Sequence, residues 1–244
     1  MDKKIRTVVV IPTYNEAQNI ESLVFQILHF HPQFDILIVD DNSPDDTGRI
    51  AEELSKRSNK IRVLHQARKV GLGRAYIEGF KYILLQEPLY ERIIQMDADF
   101  SHHPKYLGDL LKATQNSDLS LGSRYIVNGK IVNWGIVRRL ISYCANLYVR
   151  FFLGSRVKDW TGGFRCFKRE VLDSIELGTI KSKGYLFQIE VLYRCLCHDY
   201  NVTEIPISFV ERKKGRTKLG CYEIWEAILG VPRLSFLNKN SVYK

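Results

Sequence analysis

The feature that most constrains this chain is an alternation. Short apolar runs at residues 7–11, 36–39, 61–64 and 93–96 are separated by stretches of helical periodicity at 16–30, 45–55 and 73–85. In the first of those stretches Ile20, Leu23, Val24, Ile27 and Leu28 recur at the spacing that gathers them on one helical face. Strand and helix in strict turn require right-handed crossovers, so the pattern predicts an α/β fold around a mostly parallel central sheet. Ligands of such sheets bind beyond the carboxyl ends of the strands.

Three of those ends are polar. Pro12-Thr13-Tyr14-Asn15-Glu16 follows the first run, Asp40-Asp41-Asn42-Ser43-Pro44-Asp45-Asp46 the second, and Asp97-Ala98-Asp99 the fourth. Taken singly, each has a structural explanation: Asn15 as a helix N-cap, 42–46 as a capped turn, one Asp as an ordinary loop residue. Brought to one sheet edge, the three together predict a binding site. Asp97-x-Asp99 suits Mg²⁺ or Mn²⁺ held between carboxylates and a substrate diphosphate, because these hard cations prefer oxygen ligands. Other phosphate signatures fail. Gly71-Leu72-Gly73 with Gly79 lacks the G-x-G-x-x-G spacing, and neither a P-loop nor a G-x-S-x-G elbow occurs.

The charge is divided unevenly. Residues 1–122 carry 15 basic and 17 acidic side chains, net −2, whereas 123–244 carry 21 and 10, net +11. A charge serving solubility would be spread out, so the second half predicts an anionic partner: nucleic acid, a phosphate-rich substrate or an anionic membrane. Residues 131–153 form an amphipathic stretch with Arg138, Arg139 and Arg150, readable equally as an interfacial helix or a core helix with snorkelling arginines. A strand-like 202–210 and a basic run from Arg212 to Lys218 precede a second amphipathic stretch, 222–237, expected to break at Pro232. No apolar run approaches the roughly 18 residues of a transmembrane helix, and the first residues lack the pattern of a signal peptide. Five cysteines without Cys-x-x-Cys spacing are expected to be reduced, mostly packed thiols rather than a disulfide or zinc framework.

Read together, Val9-Val10-Ile11-Pro12-Thr13-Tyr14-Asn15-Glu16, Ile38-Val39-Asp40-Asp41-Asn42-Ser43-Pro44-Asp45, Met96-Asp97-Ala98-Asp99, Ser101-His102-His103-Pro104 and Gly122-Ser123-Arg124-Tyr125 resemble inverting family 2 glycosyltransferases of the GT-A fold. Within that family the chain is most similar to dolichol- and polyprenol-phosphate mannosyltransferases, through Thr161-Gly162-Gly163-Phe164-Arg165, Lys183-Gly184-Tyr185-x-Phe187-Gln188-x-Glu190 and Pro206-Ile207-x-Phe209-Val210-x-Arg212. The resemblance implies one Rossmann-like GT-A domain over 1–244, with a nucleotide-sugar half at 1–122 and an acceptor and membrane half at 123–244. It implies a transfer of mannose from GDP-mannose to dolichyl or polyprenyl phosphate on the cytosolic face of a membrane, the endoplasmic reticulum in a eukaryote or the cell membrane in a prokaryote.

By the same resemblance, Pro12, Tyr14, Glu16, Val39 and Asp41 hold the guanosine, Asp97 and Ala98 lie along the nucleotide sugar, and Asp97 and Asp99 face the metal. Arg124, Arg138, Ser142, Arg212 and Lys218 gather around the donor diphosphate and the lipid phosphate, with Arg124, Arg138 and Ser142 nearest the acceptor. Some relatives have Gln where Ser101 stands, near the metal, and some carry hydrophobic extensions beyond the point where this sequence stops. A small membrane-anchoring subunit is an implied partner. A phosphate monoester is already anionic near neutrality, its second pKa being about 6, so the site needs positive charge rather than a strong general base. The rivals are a same-fold enzyme using glucose, N-acetylglucosamine or a glycan acceptor, and a nucleic-acid-binding module. No RNP, zinc or helix-turn-helix signature supports the latter.

Overall fold

The structure, a computed structural model, describes residues 5–211 and 221–239. Strand β1 (Thr7–Thr13) leads into α1 (Ile20–Phe30), β2 (Asp35–Asp40), α2 (Thr47–Arg57), β3 (Ile61–His65), α3 (Leu72–Leu84) and β4 (Arg92–Gln95). The chain continues through α4 (Leu107–Ala113), β5 (Leu119–Ser123), β6 (Lys130–Val132), α5 (Ile136–Leu153), β7 (Arg165–Lys168) and α6 (Arg169–Ser174). It closes with α7 (Gly184–Cys197), β8 (Val202–Pro206), β9 (Ser208–Val210) and α8 (Cys221–Lys239).

Seven strands form one sheet in the order β3-β2-β1-β4-β7-β5-β8. Its pairings are parallel except at β7, which runs antiparallel to both β4 and β5. The expected mostly parallel sheet is therefore present, with strands from both halves of the chain. Along β1 successive side chains serve opposite faces. Val8 and Val10 pack with Tyr76 and Phe80 of α3 and Phe187 of α7, while Val9 and Ile11 pack with Ile20 and Leu23 of α1. Gly79 lets α3 approach the sheet: a Cβ there would lie 2.8 Å from Val10 Cγ1 and 2.9 Å from Val39 Cγ2.

Two expectations are corrected. The apolar run 202–210 is two strands in different sheets, β8 beside β5 and β9 beside β6. Ile207 is the pivot, buried, with its N–H donating to Ser123 O and its carbonyl accepting from Lys130 N–H. Nor does Pro232 end the last helix. Proline at that position leaves the carbonyl of Ile228 without its usual helical donor, and the Tyr148 hydroxyl of α5 donates to it at 2.7 Å. A side chain from the neighbouring helix thus stands in for the missing N–H.

Among the described residues no helix is long and apolar enough to cross a membrane. Helix α5 nevertheless turns its apolar side chains outward: only Asn146, Val149 and Leu153 are buried, whereas Val137 is 71% and Phe151 83% exposed. The helix packs on the core through Val149 and Leu153 and leaves much of its apolar stripe outward.

Candidate active site

The three polar strand ends meet at one cavity of about 450 Å³. One wall includes Pro12, Tyr14, Glu16 and Asp41, the far wall Asp97, Ala98 and Asp99, and the rim Lys183, Tyr185 and Glu226. The first two loops are locked together by hydrogen bonds. Asn15 N–H donates to Ser43 Oγ, Glu16 N–H to Thr47 Oγ1 and Ala17 N–H to Asp45 Oδ2, while Ser43 Oγ–H donates to Asp40 Oδ1 at 2.6 Å. Burial pushes the Asp45 carboxyl up, but the bonds from Thr47 and Ala17 outweigh it and lower the pKa below the ordinary value. Asn15 is not a helix cap. It sits in the left-handed region at φ +60°, four residues before the N-cap Asn19.

Asp41 clamps the third loop. Its two carboxylate oxygens accept from Val70 N–H at 2.7 Å and Gly71 N–H at 2.8 Å. Gly71 adopts φ +89°, a conformation that favours glycine, and Gly73 lets Phe187 approach to 2.9 Å of where a Cβ would stand. These glycines shape a wall of the cavity rather than a dinucleotide turn. Lys69, on the same loop, places its ammonium 3.7 Å from the centre of the Tyr14 ring.

The aspartate turn is held from beneath. Tyr76 Oη–H donates to Asp97 Oδ1 at 2.8 Å, and burial, then the Asp97 carboxylate, keep the phenol well above its ordinary pKa. Ser101 N–H donates to Asp99 Oδ1, and Asp97 N–H donates to His102 Nδ1, both at 3.1 Å. Burial lowers the His102 pKa against the opposing pull of Asp97 and Asp99. The floor is polar and buried. Gln95 Nε2–H donates to the side-chain oxygen of Gln188, whose backbone carbonyl accepts from the guanidinium of Arg165. Burial lowers Arg165 to about 10, which leaves it charged at neutral pH.

Arg124 lies outside the cavity and is tied to its wall through Thr161. Its Nε–H and Nη2–H grip Asp159 at 2.7 and 2.6 Å, and Nη2–H also reaches Thr161. Burial would lower its pKa, but Asp159 outweighs burial and raises it. Beyond it an open groove runs past Tyr125, Ile131, Ile136, Leu140 and Tyr143.

The chain matches the model of glycosyl transferase family 2 over residues 8–176. It belongs to that family. This family 2 glycosyltransferase is 43% identical over 228 residues to polyprenol monophosphomannose synthase of Mycolicibacterium smegmatis, covering 93% of this chain and 85% of the relative. It is 40% identical to undecaprenyl-phosphate mannosyltransferase of Micrococcus luteus, covering 94% and 93%. Among solved structures, glucosyl-3-phosphoglycerate synthase of Mycobacterium tuberculosis superposes with TM-score 0.66 at 19% identity, over 96% of this chain and 79% of the other. A mannosyltransferase from Pyrobaculum calidifontis in complex with GDP-Man and Mn²⁺ gives 0.60 at 16%, over 100% and 66%. These two likenesses bear on the fold, which is GT-A-like.

In this glycosyltransferase the cavity brings together Pro12, Tyr14, Glu16, Asp41, Asp97, Ala98 and Asp99. Val39 is apart from them, its side chain buried in the core under Gly79. Arg138 and Ser142 lie on α5 outside the cavity: Arg138 Nη1–H donates to Glu211 at 2.6 Å over the face of Trp134, and Ser142 Oγ accepts from Tyr125 Oη–H at 2.7 Å. Ser101 is buried and does not line the cavity. Arg212 and Lys218 fall outside the described residues. Sequence reasoning assigned no role to Tyr76, Asp159 or Arg165. Tyr76 reads as one more apolar position of α3, and nothing in the sequence pairs Asp159 with Arg124. Gln188, Lys183 and Tyr185 were signalled only as part of a motif.

Among the described residues no cluster of three or more His, Cys, Asp or Glu could hold a metal alone. Two carboxylates opening on one cavity still fit Mg²⁺ or Mn²⁺, which are commonly bound by one or two carboxylates plus substrate phosphates.

Proposed function

We propose that the protein transfers mannose, with inversion, from GDP-mannose to a polyprenyl or dolichyl phosphate at the cytosolic face of a membrane. The observation that carries this reading is the identity of 40% or more, over more than nine-tenths of the chain, to two enzymes named for prenyl phosphate and mannose. The nucleoside would lie between Pro12, Tyr14, Glu16 and Asp41, with Lys69 beside it, and the sugar against Asp97 and Ala98. Asp97 and Asp99 would hold Mg²⁺ or Mn²⁺, which when bound supplies positive charge for the departing diphosphate.

On the acceptor side, three N–H donors of Arg124 are committed to Asp159 and Thr161, which leaves those on Nη1 for a phosphate oxygen. Arg138 would exchange Glu211 for the acceptor phosphate, and Ser142 and Tyr125 would orient it. By resemblance Arg212 and Lys218 complete the positive set. With the acceptor oxygen already anionic, these residues need only align it with the sugar carbon and screen the charge between acceptor and diphosphate.

The outward apolar face of α5, its arginines and the exposed Trp225, Leu229 and Phe236 of α8 support docking on an anionic bilayer. Each basic side chain near such a surface contributes about 1 kcal/mol. The decisive experiment supplies purified protein with prenyl phosphate, Mg²⁺ or Mn²⁺ and a panel of labelled nucleotide sugars. Turnover is expected with GDP-mannose; turnover with UDP-sugars alone refutes the donor. Flotation with liposomes of graded anionic content tests the membrane, and absence of flotation by the protein alone means that anchoring comes from a separate subunit or that the amphipathic faces are core.

A further inference from the structure

We propose that His102 is a positioning residue whose ring nitrogen holds the 97–101 turn in the strained conformation that presents Asp97 and Asp99 to the cavity. All three strand ends of the site contain a residue in the left-handed region: Asn15 at φ +60°, Asn42 at +57° and Phe100 at +60°. Asparagine tolerates this conformation, whereas a bulky residue there is an outlier. Phe100 therefore sits against its own backbone preference, directly after Asp99, and such strain persists only where the surroundings impose it.

His102 is placed to impose it. Its Nδ1 accepts the Asp97 N–H at 3.1 Å, so it bears on the first residue of the turn while Phe100 occupies the fourth. The imidazole is 2% exposed, stacked on Phe164 at 4.8 Å with 7° between the planes, and met edge-on by Phe209 at 5.7 Å. Phe164 follows Gly163 of the cavity wall, and its carbonyl accepts from Gly122 N–H at 2.8 Å. The ring thus ties the aspartate turn to the 161–164 segment and to β9. The adjacent His103 is used differently, since its Nδ1 accepts from Lys105 N–H and caps the turn at Pro104–Tyr106. The two neighbouring histidines separate cleanly into an internal hook and a surface cap.

The proposal rests on Asp97 and Asp99 as the metal end of the site, and its test reads binding rather than turnover. Mn²⁺ is titrated into the full chain in the presence of GDP, the free ion being followed by electron paramagnetic resonance, alongside thermal unfolding. His102→Phe keeps the stack on Phe164 and removes the acceptor; His102→Asn supplies an acceptor without the ring. The loss of one hydrogen bond predicts an Mn²⁺ Kd about tenfold higher in H102F, within about twofold of wild type in H102N, and unchanged in the control H103A. In the background of Phe100→Gly, which removes the strain, the effect of H102F should shrink severalfold. Unchanged Mn²⁺ affinity in H102F overturns the role, as does an equal loss with and without F100G. Should wild type bind no Mn²⁺, the metal reading fails and the hook is judged by hydrogen exchange at the Asp97 amide. Faster exchange in H102F, or in H102A if H102F does not fold, supports it; unchanged exchange refutes it.

Discussion

In α1 the apolar residues Ile20, Leu23, Val24 and Ile27 are all buried against the sheet, while in α5 Ile136, Val137, Leu140 and Ile141 are all exposed. Both helices carry an apolar stripe, and both lie beside strands of the same molecule. What differs is the partner. α1 meets β1 and β2, whose side chains fill one face of the sheet, whereas α5 is anchored through Asn146, Val149 and Leu153 and leaves its stripe uncovered. Periodicity fixes which side chains share a face; it does not say whether protein or another apolar phase covers that face.

Substitutions on the two sides should therefore fail differently. The largest effect is expected at the edge of the buried half: Asp99→Ala should lower turnover about a thousandfold through loss of charge stabilisation by the metal. Thermal stability should stay near wild type, and a variant with near-normal rate in metal-replete buffer removes Asp99 from the mechanism. Next, Leu23→Ala in α1 should cost about 2–5 kcal/mol in denaturant unfolding. On α5 the double substitution Val137→Ser with Ile141→Ser should shift unfolding by less than about 0.5 kcal/mol per site. Its flotation with anionic liposomes should fall about tenfold or more, since each exposed aliphatic chain is worth about 1.5 kcal/mol in an apolar phase. A large loss of stability instead would place that stripe in the core. The smallest effect is Arg138→Ala: about a tenfold higher KM for prenyl phosphate with GDP-mannose binding unchanged, and at most about 1 kcal/mol of stability from its half-exposed pair with Glu211. Equal losses for donor and acceptor would separate Arg138 from the acceptor.

The fold as far as β4 was legible because β1, β2 and β4 are almost wholly buried and the helices between them are buried on one face, so hydropathy carries the pattern, whereas α4 and β5 were not read. The run 61–64 became Ile61–His65 and 36–39 became Asp35–Asp40, differences confined to strand ends. Strand β7 was not legible. Arg165-Cys166-Phe167-Lys168 is four residues long and half cationic, and it is strand because Arg165 finds the carbonyls of Gln188 and Trp160 in the interior. The same holds for the site. Residues at the ends of regular strands were readable, whereas Asp159 and Tyr76 act across 35 and 21 residues of sequence on Arg124 and Asp97. Only the folded chain brings those pairs together.

The bond from Tyr148 to the carbonyl of Ile228 adds a polar tie between two helices that already pack in one apolar cluster. In water that carbonyl could be rehydrated if α8 lifted away, at little net cost. Within the hydrocarbon of a bilayer water is scarce, and an acceptor left unpaired there costs about 1–3 kcal/mol. Pro232 thus leaves α8 tied to α5 rather than hinged: under the proposed docking, uptake of Trp225 and Phe236 by an apolar phase would draw α5 with them, and the depth of one helix would set the depth of the other.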